Sequence, residues 1–183
     1  MKTPVLLIID VQTGLDDPAH GQRNNPGAES AMQRLLQRWR EKKLPVVHVR
    51  HDSTEPQSKL RPELPGNRIK QEVEPLPAET LFAKSVNSAF IGTELEQYLR
   101  DNGFEQLVVV GLTTDHCIST SVRMAANLGF DVTLVGDATA TFERRFRDGR
   151  QFSAEQMHDI NLASLDGEFC KVVDAADVLA ELS

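Results

Sequence analysis

The chain is poor in cysteine, with two thiols among 183 residues. Small disulfide-built domains need more, and a chain this long with 40% apolar residues can build a core without staples. Cys117 and Cys170 are therefore read as free thiols. Long hydrophobic runs are missing too. The opening stretch "MKTPVLLIIDV" carries one Lys and a short apolar run that ends at Asp10. That run is shorter than a signal-peptide core and far shorter than the ~20 residues of a membrane helix. A cytoplasmic protein with no membrane partner is expected. Positive charge is scarce as well: 20 Lys and Arg against 27 Asp and Glu give a net charge of −7. Nucleic acid and anionic membranes are poor partners for such a surface. No internal repeat or low-complexity tract interrupts the chain, so residues 1–183 are read as a single domain.

What is present is an alternation of two patterns. Runs rich in β-branched residues occur at "VLLII" (5–9), "PVVHV" (45–49), "QLVVV" (106–110), "DVTLV" (131–135) and "KVV" (171–173), with "TLFA" (80–83) a weaker sixth. They are continuous rather than alternating, as strands covered on both faces are. Helical spacing appears at 28–43, through Met32, Leu35, Leu36 and Trp39, and again at 93–102, 117–128 and 154–165. The reading is a three-layer, doubly wound α/β sheet of about six mainly parallel strands flanked by helices.

Two segments fall outside this pattern. Residues 52–79 hold five prolines and no helical period. They form either a lid or a solvated excursion. "ERRFRDGR" (143–150) concentrates basic charge in an acidic chain. Either it is a solvated loop, or one of Arg144, Arg145 and Arg147 meets an anionic group of a substrate.

In open α/β sheets ligands bind beyond the carboxyl ends of the strands, where strand order reverses. Asp10 follows "VLLII", Lys84 follows "TLFA", and Cys117 follows "QLVVV" across a short turn that opens a helix-like run. If the first and fourth strands are neighbours, Asp10 and Cys117 face one cleft. A thiol at a helix N-terminus gains thiolate character from unpaired N–H groups and a nearby Lys. Asp10 pulls the other way, which leaves the resting state of the thiol open. A carboxylate can take the thiol proton and return it to a leaving group, while backbone N–H groups hold an oxyanion. Each residue also has a plain reading: Asp10 as a turn residue, Lys84 as a solvated charge at a strand end, Cys117 as a small core hydrophobe.

"LLIIDVQ" (6–12), "FAKSVNSAFIGTELEQYL" (82–99) and "VVVGLTTDHCISTSVRMAANLGFDVTLVGDATAT" (108–141) resemble the three signatures of the isochorismatase-like cysteine hydrolases, a group that includes nicotinamidases. The resemblance implies a six-stranded parallel sheet, a triad falling on Asp10, Lys84 and Cys117, and a cis peptide at Leu112–Thr113. It places the oxyanion hole at the N–H groups of Thr113 and Cys117. It implies hydrolysis of a small amide-type C–N bond through a thioester, without cofactor, by a homo-oligomer (dimer or larger). Isochorismatases proper lack the cysteine. An isochorismatase-type hydrolase of a carboxylated metabolite therefore stays as the alternative, with a non-catalytic assembly or redox module on the same fold as a third reading. Nicotinamidases carry an Asp-x-His…His metal site, whereas "HVRHDSTEP" here offers His48, His51 and Asp52 with no third imidazole nearby. No metal is expected.

Substrate contacts are assigned to Gln12, His51, Asn87 and Phe90, three of them with a structural counterpart. Gln12 can fix a turn, His51 can make a surface hydrogen bond, and Phe90 can be core. His48, His158 and Cys170 are read as packed, and Asp137 as a structural cap.

Overall fold

The computed structural model describes residues 3–182. All six apolar runs become strands of one sheet: β1 (Pro4–Ile9), β2 (Val46–His51), β3 (Thr80–Lys84), β4 (Gln106–Leu112), β5 (Asp131–Ala140) and, after a short hairpin of β6 (Arg144–Arg145) and β7 (Gln151–Phe152), β8 (Lys171–Val173). The order is β3-β2-β1-β4-β5-β8, and every pairing in it is parallel. Strand order reverses between β1 and β4, which opens the crevice that a doubly wound sheet offers to ligands.

The continuous apolar runs follow from burial on both faces. Leu6 and Ile8 of β1 pack with α1 (Ala28–Glu41) and with Val178 of α5 (Ala175–Glu181). Val5, Leu7 and Ile9 pack on the other face with α2 (Leu95–Asp101), α3 (Ser119–Asn127) and Leu165 of α4 (Ala154–Leu165). Neither face of β1 meets water, so neither keeps a polar residue. Among the described residues no helix is long and apolar enough to cross a membrane.

Three local features differ from the sequence reading. The segment at 117–128 does not begin as an α-helix. A π-helical turn spans Thr114–Ile118 and α3 starts at Ser119, so Cys117 sits inside the turn rather than at the head of the helix. Helix α5 lies where no helix is expected from periodicity. Its Ala175 N–H is held by Asp137 at 2.8 Å, the capping role expected of that aspartate. Residues 52–79 are neither a free excursion nor an empty loop. They carry two 3₁₀ turns, Pro65–Asn67 and Gln71–Val73, and bury Val73. Hydrogen bonds from Lys70 N–H to Val11 (2.9 Å) and from Thr13 N–H to Arg68 (2.9 Å) fasten the segment to the end of β1.

Gly111 fixes how closely β1 and β4 approach at that end. It pairs with Ile9 and has φ of +131°, and a Cβ added there would stand 2.0 Å from the Ile9 carbonyl oxygen. That neighbour is backbone and cannot turn aside. Gly111→Ala is expected to destabilise the fold by roughly 3 kcal/mol or more, read as the shift in urea midpoint. A midpoint within error of wild type would show that the two strands can part without loss.

Candidate active site

Three strand ends deliver the three expected residues to one point. Asp10 leaves β1 with φ of +54°, a left-handed conformation that aspartate tolerates better than most side chains, and its N–H is held by Val49 at 2.8 Å. Lys84 is the last residue of β3 and pairs in register with His51 of β2. Its four-carbon stem reaches over the end of β2 toward β1. Cys117 comes from the π-helical turn that follows β4, after a cis peptide at Leu112–Thr113. The Lys84 Nζ lies 2.6 Å from Asp10 Oδ2, 3.0 Å from His51 Nδ1, 3.1 Å from the Val86 carbonyl and 3.3 Å from Cys117 Sγ. An ammonium has three protons for these four neighbours, so at least one bond is shared.

Lys84 is not the exposed strand-end charge that its position in the sequence allows. Its side chain is 0% exposed and that of Asp10 2%. Taking two ions out of water costs several kcal/mol each, and this contact sets their opposite charges against that cost. Asp10 Oδ1 is buried and accepts no hydrogen bond among the described residues, which leaves an oxygen free for a proton.

Burial pushes the Asp10 carboxyl above its usual range, and the neighbouring Lys84 only partly opposes this. Burial also pushes the Cys117 thiol up, to about 12, with the Asp10 charge adding to the rise and Lys84 working against it. The resting sulfur is therefore a protonated thiol at neutral pH. The question left open by the sequence is answered: desolvation and the carboxylate outweigh the ammonium and the turn. A carboxylate with raised basicity beside a thiol is suited to take that proton when the sulfur attacks.

Asp10 and Cys117 line a cleft of about 320 Å³, with Lys84 buried behind them. Leu15, Leu60, Leu112 and Phe142 give it apolar walls, and His20, His116, Asn87 and Arg144 add polar groups. Leu60 belongs to the segment 52–79, which thus supplies part of the wall. A larger cleft of about 600 Å³ lies elsewhere, but Arg23 and Lys70 there both pair with Glu29 and no thiol lines it.

Of the expected substrate contacts, His51 and Asn87 reach the cleft. Gln12 does not. It is fully buried, takes the His51 N–H on Oε1 (2.9 Å) and donates Nε2 to the carbonyls of His51 (3.0 Å) and Asn67 (2.9 Å). A side-chain amide spent on three backbone bonds is a brace. Phe90 is core too: it stacks on Phe130 with ring centroids 5.9 Å apart and is absent from the cleft lining. Arg144 lines the cleft while Arg145 and Arg147 do not, and Asp115 already pairs with Arg144 at 2.9–3.0 Å. His48 is buried against Glu79 (2.9 Å), and Asp52 is occupied by Arg50 (2.8 Å) and Asn67 (3.0 Å). His158 is buried at 2.9 Å from Thr114 Oγ1 and steadies the π-helical turn. Cys170 is half-buried beside the core, also with a thiol pushed up to about 12 by burial. Resting ionisation thus does not separate the two thiols; access to the cleft does.

The sequence reading missed His20, His116 and Asp115. His20 arrives from a 3₁₀ turn after β1 and rests on Phe142, ring centroids 5.0 Å apart, with nothing in its local sequence to mark it. His116 adjoins Cys117 and was within reach of inspection. Asp115 accepts from Thr141 Oγ1 and from Arg144, and so ties the turn that bears Cys117 to the end of β5 and to the β6–β7 hairpin. Two further imidazoles, His20 and His116, line the same cleft as His51 from outside the stretch in which a third was sought.

A metal does not fit the one donor cluster at this site. Among the described residues, Asp10, His51 and Cys117 bring donor atoms within 4.8 Å of one another. The Lys84 ammonium bonds to all three. An ion there would have to displace a buried cation of its own sign.

A thiol, a carboxylate and an ammonium at the carboxyl ends of a doubly wound sheet form the equipment of a hydrolytic α/β enzyme. Residues 4–177 match the isochorismatase domain, and the chain belongs to the isochorismatase family of hydrolases. The crystal structure of a member of that family from Chromobacterium violaceum superposes with a TM-score of 0.95 at 52% identity, over 98% of this chain and 93% of that one. The isochorismatase family protein YrdC of Bacillus subtilis (strain 168) is 44% identical over 168 residues, 92% of this chain and 90% of its own. Streptothricin hydrolase of Streptomyces noursei is 33% identical over 141 residues, 75% of this chain and 54% of its own.

A thiol held near 12 makes a kinetic prediction. Iodoacetamide labelling of Cys117 should climb about tenfold per pH unit from neutral to mildly alkaline pH without a plateau, because the thiolate fraction does so below the pKa. Asp10→Asn removes the charge that raises the thiol and should speed labelling. A plateau near neutral pH, read by intact mass against time, would mean a resting thiolate instead.

Proposed function

We propose that this chain is a cysteine hydrolase that cleaves a small amide-type C–N bond through a thioester on Cys117, without cofactor. The observation that carries the reading is the buried Lys84 ammonium, which bonds at once to the Asp10 carboxylate and to the Cys117 sulfur. Asp10 takes the thiol proton as Sγ attacks the substrate carbonyl. The N–H groups of Thr113 and Cys117 receive the oxyanion. Asp10 returns the proton to the departing nitrogen, and the C–N bond breaks to leave the thioester. Water, deprotonated by Asp10, then attacks the thioester; the acid leaves and the sulfur regains its proton. Lys84 balances the Asp10 charge and steadies sulfur as negative charge builds on it.

An isochorismatase-type hydrolase of a carboxylated metabolite, with Cys117 incidental, is the rival. A non-catalytic module on the same fold is another. Neither gives a buried ammonium a reason to touch the sulfur. The small-molecule substrate is met in the cytoplasm by a homo-oligomer in this proposal.

Intact-protein mass spectrometry during turnover of a primary-amide library tests the reading. An acyl adduct on Cys117 is expected, and Cys117→Ala should lose adduct and turnover together. Full hydrolysis by Cys117→Ala would sink the thioester.

Because an ammonium holds the centre of the donor cluster, dialysis against a chelator should leave turnover unchanged. Loss of activity that zinc or iron restores would overturn the metal-free site.

A further inference from the structure

His51 is held with more care than a residue at the end of a strand requires. Gln12, itself fully buried, clamps the His51 backbone by both its N–H and its carbonyl, at 2.9 and 3.0 Å. Asn67 Nδ2 adds a third bond to the same carbonyl at 3.0 Å and continues to Leu60 at 2.8 Å. The anchor of the 52–79 segment and the backbone of His51 are thus one assembly. On the side chain, Lys84 Nζ stands 3.0 Å from Nδ1. The same ammonium is bonded to Asp10 and Cys117, so the ring is fixed relative to the reacting atoms.

This contact settles the tautomer. An ammonium has only protons to give, so Nδ1 must be the bare acceptor and the proton of the neutral ring stands on Nε2. Nε2 meets no protein acceptor among the described residues, and the ring lines the cleft. Burial and the adjacent Lys84 charge hold the imidazole down near 4, which keeps it neutral while Asp10 and Cys117 exchange a proton. A ring with its basic nitrogen occupied is a poor general base. It remains a fixed donor.

The geometry points to His51 as a specificity-determining donor: its Nε2–H bonds to an acceptor on the substrate beside the scissile carbonyl, so that the preferred substrates are small amides carrying a second acceptor. The class includes amides with a neighbouring carbonyl, carboxylate or ring nitrogen. For the reaction itself this rests on the hydrolase reading, whereas the donor geometry does not. A polar group left unpaired in a closed site is costly, and that cost is what rejects the plain amide.

Two substitutions separate the roles of the two ring nitrogens. His51→Asn keeps an acceptor near the place of Nδ1 and removes the donor at Nε2. His51→Gln carries an N–H near the place of Nε2. The probes are malonamide against propionamide, and pyridine-2-carboxamide against benzamide. Wild type should prefer the first of each pair. His51→Asn should cut that preference by about 10- to 100-fold, chiefly through KM, and His51→Gln should restore part of it. With ¹⁵N-labelled histidine, the wild-type ring should appear neutral and protonated on Nε2 near neutral pH, and malonamide should shift that resonance where propionamide does not. A ring protonated on Nδ1, or His51→Asn with its preference intact, overturns the inference. Failure of wild type to cleave any amide or form any Cys117 adduct removes the hydrolase reading instead. The malonamide shift then still decides whether His51 is the donor.

Discussion

A single buried ammonium organises this site. Lys84 lies on the edge strand β3, yet its Nζ is in contact with a carboxylate from β1, an imidazole from β2 and a thiol from the turn after β4. No water is needed to hold it, because its neighbours replace the hydration it has lost. Without it, the Asp10 charge would stand buried and alone, and an unpaired buried carboxylate takes up a proton rather than remain ionised. The charge on Asp10 is thus sustained from the strand two places away in the sheet.

The rest of the fold serves that contact. Parallel order brings three carboxyl ends to one edge of the sheet, and the reversal between β1 and β4 keeps the space above them open. Gly111 lets the two central strands close to backbone contact just below it. Thr141, just past β5, and His158 of α4 pin the π-helical turn through Asp115 and Thr114, so that the sulfur is placed by elements far from it in sequence. π-Helical turns are found often at functional sites, where a widened turn re-aims a side chain. Here the turn delivers Cys117 to the cleft instead of leaving it at the head of α3.

The balance at the sulfur shows why proximity to a cation does not by itself make a thiolate. Lys84 is 3.3 Å from Sγ, but burial and the Asp10 charge prevail, and the thiol is raised to about 12. The proton then has a defined course between two groups that cannot both be charged at low cost. An adjacent base is one of the ways in which a protonated thiol can be activated for attack.

The amino-acid sequence by itself determined the sheet and pointed to the three residues that meet at the site. The six apolar runs are continuous because both faces are covered, and that pattern is visible without coordinates. Asp10, Lys84 and Cys117 are polar residues at the ends of such runs, where an α/β sheet keeps its chemistry. Helix α5 escaped because its seven residues bury only Ala175 and Val178, too few for a period to show. Tertiary structure alone decided the remainder. Gln12 became a brace and Phe90 core because of what stands opposite them, and His20 and Arg144 joined the cleft from segments distant in sequence. The burial of Lys84, the protonation of Cys117 and the tautomer of His51 were likewise beyond reach of the sequence. Each depends on desolvation and on distances of 2.6 to 3.3 Å between strands that only the folded sheet makes neighbours.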